Sequence, residues 1–228
     1  CKVRTRAVFA AVVLIGYSLL MYLVVAPDAP DGTDPLSVAG NIAGWVDRQW
    51  LPGTFACGSF DPEGLLSTLP AIVSALFGMF TGEFLLRKRL SLSGEQIALC
   101  MALAAVAITV IGIIWNCWIP INKKLWSSSF TCVVTGYSLG LFALFYYLID
   151  VRGWRRWTLF FRVVGLNSIT IYLAQRIVGF GRISDFFLGG VASKCPEALA
   201  AVVDSAGYVA VCWLFLYFLY RKNVFLKV

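Results

Sequence analysis

Six apolar blocks divide the chain, at residues 7–25, 65–86, 97–115, 127–149, 159–178 and 206–220. Each is close to the length a helix needs to cross about 30 Å of hydrocarbon. The pattern predicts an all-α, polytopic transmembrane helix bundle of about six spans, forming a single transmembrane domain over 1–228. The fifth block is interrupted by Arg162, Asn167, Gln175 and Arg176, and the sixth is short but ends in the aromatic run from Trp213 to Tyr220.

Between the first two blocks lies a long polar connection, residues 26–62. It opens with a Pro- and Asp-rich turn segment and then places Leu36, Ala39, Ile42, Ala43, Val46 and Trp50 at helical spacing. This predicts a short amphipathic helix, with Asp47 and Arg48 facing away from the stripe. Two placements stay open: on the membrane interface, or packed on the neighbouring loops.

Composition agrees with the pattern. Hydrophobic residues make up 60% of the chain and charged residues 14%, against roughly 45–50% and about 25% in soluble domains. The net charge of +7 does not indicate nucleic acid. The basic residues sit at block ends, in the groups Lys2/Arg4/Arg6, Arg87/Lys88/Arg89, Arg152/Arg155/Arg156 and Arg221/Lys222/Lys227. Six spans put all four groups on one side, which the positive-inside rule makes the cytoplasm, with both chain ends there. Asp28, Asp31, Asp34, Asp47, Asp61, Glu63, Asp185, Glu197 and Asp204 collect on the opposite side, where Lys123 and Lys124 are the basic exception. The first block is preceded by basic residues and is too long for a signal-peptide core. The expectation is a piece of a longer, or a processed, protein.

The seven cysteines include no CxxC pair, and there is no histidine. No metal site is readable, and the commonest general base is missing. Cys100, Cys132 and Cys212 read as small core residues. Cys57 and Cys195 fall in two loops expected on the same outer side, where a disulfide between them stays open.

Four stretches are more specific than membrane composition requires. In residues 61–70, two carboxylates flank Pro62 at the mouth of a span. Asp61 or Ser67 could cap the helix, or the acids could floor a site that opens outward. Residues 118–129 join two spans with Trp118, Trp126 and the two lysines, which either bind an anionic or polar ligand or pair with Asp61 or Glu63. Residues 148–157 form an Arg- and Trp-rich turn. It serves topology and headgroup contact, or binds the phosphates of a cofactor such as coenzyme A. Residues 165–172 place Asn167, Ser168 and Tyr172 within a span, for helix–helix hydrogen bonding or for an intramembrane cavity.

In these stretches the chain resembles the heparan-α-glucosaminide N-acetyltransferase family and its bacterial relatives, some of which are labelled as N-acetylglucosamine-related transporters. The matching motifs are DPEGLL at 61–66, PINKKLWSSSF at 120–130, residues 148–153, GLNSITIY at 165–172 and LYRKNVFLKV at 219–228. They keep the family's order and cover most of the chain.

The resemblance implies a membrane acyltransferase. It would take acetyl from cytosolic acetyl-CoA and deliver it to the amino group of a terminal glucosamine across the bilayer. The family's catalytic histidine lies in an N-terminal part, so this segment is not expected to catalyse alone. By motif, Asn122, Lys123, Lys124 and Trp126 would line the outer mouth of the site. Asn167 and Ser168 would line an intramembrane pocket, and Asp61 and Glu63 would frame the opening of the second span. Implied partners are the lipid bilayer, an amino-sugar substrate, the N-terminal part of the same protein and a second copy in a homo-oligomer. A bacterial inner membrane is the expected location. The competing readings are a transporter for amino sugars or related saccharides, and a structural or partner-binding membrane subunit.

Overall fold

The computed structural model describes residues 2–226 apart from 54 and 56. Lys227, used in the sequence argument, lies outside the described residues. The chain forms two compact units, Cys1–Gly153 and Trp154–Val228, and each is described by itself.

The first unit holds α1 (Val3–Leu23), α2 (Ile42–Trp50), α3 (Thr68–Lys88), α4 (Gly94–Trp115) and α5 (Ser128–Tyr146). A single π turn, Tyr147–Val151, extends α5. Local chemistry sets several boundaries. Ser93 and Gln96 form a reciprocal capping box at the start of α4, satisfying orphan amides at that end. The Ser127 hydroxyl accepts the Phe130 amide to start α5. Gly153, with φ +69°, turns the chain after the π turn.

In lipid, helices gain little by hiding apolar side chains from one another, so close backbone approach matters more. The most extensive helix contact in this unit is between α4 and α5, and it runs over small residues. A Cβ at Gly112 would strike Val133 and the Ser129 carbonyl, and one at Gly136 would strike Thr109 and the Ala105 carbonyl. Gly112 and Gly136 therefore serve packing within the chain. Around this pair, Ala10, Leu14, Val73 and Cys132 bring α1 and α3 against α5. At one end Arg6 of α1 pairs with Glu83 of α3, and Arg87 approaches the same carboxylate at 3.6 Å. The basic ends of α1 and α3 thus share one end of the unit.

The second unit holds α6 (Thr158–Leu166), α7 (Ser168–Ile177), α8 (Phe180–Ala192) and α9 (Glu197–Arg221). Among the described residues, five helices are long and apolar enough to cross a membrane: α1, α3, α4, α5 with its π turn, and α9. The predicted helical bundle is therefore found, with two differences of detail. The fifth block is not one continuous helix but the pair α6 and α7, broken at Asn167, which takes φ −131° and ψ 31°. Two helices of 9 and 10 residues are each too short to span. The sixth span begins earlier than the apolar block, so Glu197 and Asp204 fall within α9. Cys132 and Cys212 are buried as expected, but Cys100 is exposed, because it faces a crevice between helices instead of the core.

The glycine at the α4–α5 crossing gives the first test. Replacing Gly136 by Leu should cost about 1–3 kcal/mol, the usual penalty of overpacking. Gly16→Leu, where a side chain meets open space, should leave stability unchanged. Thermal unfolding in detergent, comparing the two variants with the parent, reads the difference.

Candidate functional site

Two of the motif stretches converge at the end of the first unit where α1 stops and α5 begins. Tyr17 and Met21 of α1, Ile42 and Ala43 of α2, and Leu125 form a buried cluster, with Leu36, Trp45 and Leu66 packed on it. Leu66 belongs to the DPEGLL stretch and Leu125 to PINKKLW, so one apolar plug seats both. Hydrogen bonds pin the second stretch to α1: the Tyr17 hydroxyl donates to the Leu125 carbonyl at 2.6 Å, and Ser128 donates to the Leu14 carbonyl at 2.7 Å.

The helix α2 forms because Asn41 caps it. Its Oδ1 accepts the Gly44 amide at 2.6 Å, while its Nδ2 donates to the carbonyls of Ser37 and Val38. Because α2 begins only at Ile42, Leu36 and Ala39 lie in the preceding turns, and the buried face differs from the expected stripe. Trp50 is 72% exposed, whereas Asp47 is 1% exposed. The expectation that Asp47 faces away is thus corrected. The Asp47 Oδ1 accepts the Leu65 amide at 3.0 Å, and its carboxylate fills the space that a Cβ at Gly64 would need. Glycine at 64 is what lets the acid sit against this backbone. Arg48 forks onto Asp28 at 2.8–3.0 Å and donates to the Ser59 carbonyl at 2.8 Å, tying the same loop from its outer side.

Burial raises the Asp47 carboxyl above the ordinary carboxylate range, and the neighbouring Asp61 charge adds to this. The amides of Leu65 and Asp61 and the Arg48 guanidinium oppose it without cancelling it.

The DPEGLL stretch is an irregular turn, not a helix cap. The Asp61 Oδ1 accepts the Glu63 amide at 2.9 Å, and the Ser67 hydroxyl donates to the carbonyls of Pro62 and Gly64. Neither residue caps α3. Asp61 is half-buried and Glu63 exposed.

The PINKKLW loop is closed by Ser127, whose hydroxyl donates to the Pro120 carbonyl at 2.8 Å and accepts the Asn122 amide at 3.1 Å. The Asn122 Oδ1 accepts the Lys124 amide at 2.9 Å. Lys123 and Lys124 project as exposed cations, and among the described residues neither forms an ion pair. The alternative in which they pair with Asp61 or Glu63 is therefore not what holds them. Trp126 has φ +49°, a left-handed backbone that costs a bulky residue of order 1–3 kcal/mol and clusters at functional sites. Its ring packs edge-on against Phe130, 5.7 Å between centroids. Its indole N–H is buried with no partner among the described groups.

The other candidate residues belong to the second unit. Asn167 is 1% exposed. Its Nδ2 donates to the Val224 carbonyl at 3.2 Å, and its Oδ1 accepts from Thr170 at 3.2 Å. Its amide thus joins the helix break of GLNSITIY to the segment after α9. Arg162 strengthens the join by lying 5.6 Å over the Tyr220 ring. Ser168, next in sequence, is exposed, so the two residues point to different surroundings.

No family model matches the chain. It is 29% identical over 205 residues to heparan-alpha-glucosaminide N-acetyltransferase of Homo sapiens, and equally so to that of Mus musculus. The chain is similar to these acetyltransferases. The match covers 83% of the chain, which spans 30% of the length of the curated relatives it matches. The resemblance carried by the motifs therefore extends over most of the sequence. Together with five helices of spanning length and composition, it marks an integral membrane, acetyltransferase-like protein.

Sequence reasoning missed Asp47, Asn41 and the Arg6–Glu83 pair as organising groups. A signal existed for one of them: Asn41 precedes the helix at the position where a side-chain cap is strongest. The partners of Asp47 and Glu83 are set by tertiary packing, 18 and 77 residues away.

The buried acid has a pH signature. Between the ordinary carboxylate pKa of about 4 and the raised folded value, the folded chain holds a proton that the unfolded chain has released. Stability should therefore fall as pH rises through that window. Asp47→Asn should flatten the dependence. Melting temperature against pH, for parent and variant, measures it.

Proposed function

We propose that the full protein is a membrane N-acetyltransferase in which the first unit of this chain forms the acceptor mouth. The observation that carries this reading is the similarity to acetyltransferases over 83% of the chain, whose two most distinctive loops meet on one apolar plug. The reaction breaks the acetyl C–S bond of acetyl-CoA and forms a C–N bond to the amino sugar. The ammonium form of the amino sugar gives up two protons in all, one to the base and one that ends on the departing thiolate.

The chain's own residues fit parts of this task. An amino sugar approaches as an ammonium ion, and Asp61 and Glu63 supply negative charge at the mouth. Among the described residues Lys123 and Lys124 form no ion pair, and in this reading they polarise a carbonyl oxygen as charge develops on it. Asn122 shapes the loop, and the strained Trp126 offers an indole N–H to a sugar oxygen once the loop adjusts. Arg155 and Arg156, exposed at the start of the second unit, suit the phosphates of acetyl-CoA. Asn167 holds the break between α6 and α7 in shape, and Ser168 beside it is the exposed hydroxyl. No histidine is available here, so the base comes from the N-terminal part of the full protein, which we count as a partner of this segment. A second copy is a further partner under this reading.

The test is acetylation of glucosamine by the full-length protein reconstituted with acetyl-CoA, read by mass spectrometry. Lys123→Ala with Lys124→Ala should lower kcat/KM by about tenfold or more, about 1.4 kcal/mol in the barrier. Saccharide flux into vesicles without acetylation would replace the enzyme with a transporter. Unchanged activity in the double variant would remove the lysines from the site.

We place the protein in a bacterial inner membrane, with the basic ends of α1 and α3 cytoplasmic. In intact cells, Cys57 and Lys124 should then react with membrane-impermeant reagents added outside. Protection of both, with reaction only after lysis, would invert the orientation.

A further inference from the structure

Inside the first unit, α3 rests lightly on the α4–α5 pair, leaving a crevice of about 200 Å³ between the three helices. Its wall is almost wholly apolar. Phe77, Phe80 and Phe84 come from α3, Cys100 and Met101 from α4, and Leu139 from α5. The crevice opens sideways, since Cys100 is exposed although it lies within a membrane-spanning helix. Facing hydrocarbon, such a slot takes an apolar chain.

The chemistry at one end of the slot is different. On α3 the aromatic wall steps by helical turns from Phe77 through Phe80 and Phe84. The same row continues to Arg87 and Lys88, three and four positions beyond Phe84, with Arg89 at the helix cap. All three are exposed. Arg87 approaches Glu83 only at 3.6 Å, and among the described residues Lys88 and Arg89 form no ion pair. Arg6, which neutralises Glu83, lies 5.7 Å over the ring of Phe80. Its Nε is buried with no partner among the described groups. Arg87, Lys88 and Arg89 at the end of α3, with Lys2, Arg4 and Arg6 at the start of α1, outnumber Glu83, Glu95 and Asp150 at this end and leave the rim positive. An apolar slot that ends at headgroup depth in a positive rim matches an acyl chain joined to a phosphate.

We propose that this crevice is a binding site for an anionic phospholipid. One acyl chain lies along Phe77, Phe80, Phe84 and Met101, and the headgroup phosphate is held by Arg87 and Lys88. The occupant fills the gap between α3 and its neighbours, so the lipid acts as a wedge that fixes the position of α3. The site requires no particular catalytic activity and stands apart from the acceptor mouth, which is built on the opposite end of α3.

The test uses the full-length protein in detergent micelles, with Cys100 as the reporter. Phosphatidylglycerol, phosphatidylcholine with identical chains, and inorganic phosphate are added separately. Alkylation of Cys100 by a small neutral thiol reagent is followed by peptide mass spectrometry, alongside melting temperature. Saturating phosphatidylglycerol should slow Cys100 alkylation by about tenfold or more and raise the melting temperature, as for any ligand selective for the folded state. Phosphatidylcholine should do markedly less, and inorganic phosphate nothing.

Arg87→Gln with Lys88→Gln should reduce the phosphatidylglycerol effect to that of phosphatidylcholine. Ala104→Phe, which fills the crevice from α4, should abolish protection. Ala104→Leu does the same with less bulk if the phenylalanine variant fails to fold. Equal protection by both lipids, or undiminished protection in the charge variant, overturns the headgroup assignment. Full protection in the filled variant overturns the crevice, and stabilisation by phosphate alone would make the ligand a free anion instead of a lipid.

Discussion

A helix pair in hydrocarbon has no water to escape, so its association rests on how closely two backbones can meet. In this protein the crossing of α4 and α5 at Gly112 and Gly136 meets that condition, and neither glycine leaves room for a Cβ. The rest of the first unit is arranged around that pair. α1 reaches it through Ala10 and Leu14, which meet Cys132 of α5, while α3 joins through Val73 and is tied at its two ends. At one end, the turn before α3 bonds to Asp47. At the other, Glu83 binds Arg6. Between these ends α3 is loosely packed, which is why the crevice lies there.

The two ends of α3 use opposite solutions to the cost of burying charge. Asp47 is buried without a cation in direct hydrogen bond and is sustained by backbone amides, at the cost of a raised pKa. Glu83 is instead paired with Arg6, and Arg87 approaches it at 3.6 Å. The first arrangement ties a loop to a helix and responds to pH. The second ties two spans together. The proposed acceptor mouth sits at the pH-responsive end, where Asp61, only half-buried, also acts on Asp47.

How much of this was legible in the sequence depended on the range of the interaction. Block length and apolar content gave the spans, because the bilayer imposes one length on every crossing. Asn167 was read as a polar group inside a span, but its role as a break needed the Val224 carbonyl, which no local pattern names. The stripe in 36–50 was read from spacing alone. It holds at Ile42 and Ala43, which are buried, and fails at Trp50 and at Asp47, whose carboxylate is drawn inward by the Leu65 amide. The motif residues at 61–66 and 120–130 were legible as unusual. That they share one plug through Leu66 and Leu125 was not.

The bond between Asn167 and Val224 also bears on the order of biosynthesis. The carbonyl that accepts the Asn167 amide is made 57 residues after it. At 5–20 residues per second, synthesis of that interval takes about 3–11 s. Through that time the broken pair α6–α7 is in or near the membrane with its buried amide unmatched, while helix elongation itself takes only nanoseconds per residue. The second unit therefore cannot close in chain order. Its middle waits for its last strand of backbone, and during that wait the Asn167 amide is open to capture by a chaperone, a lipid headgroup or a wrong helix.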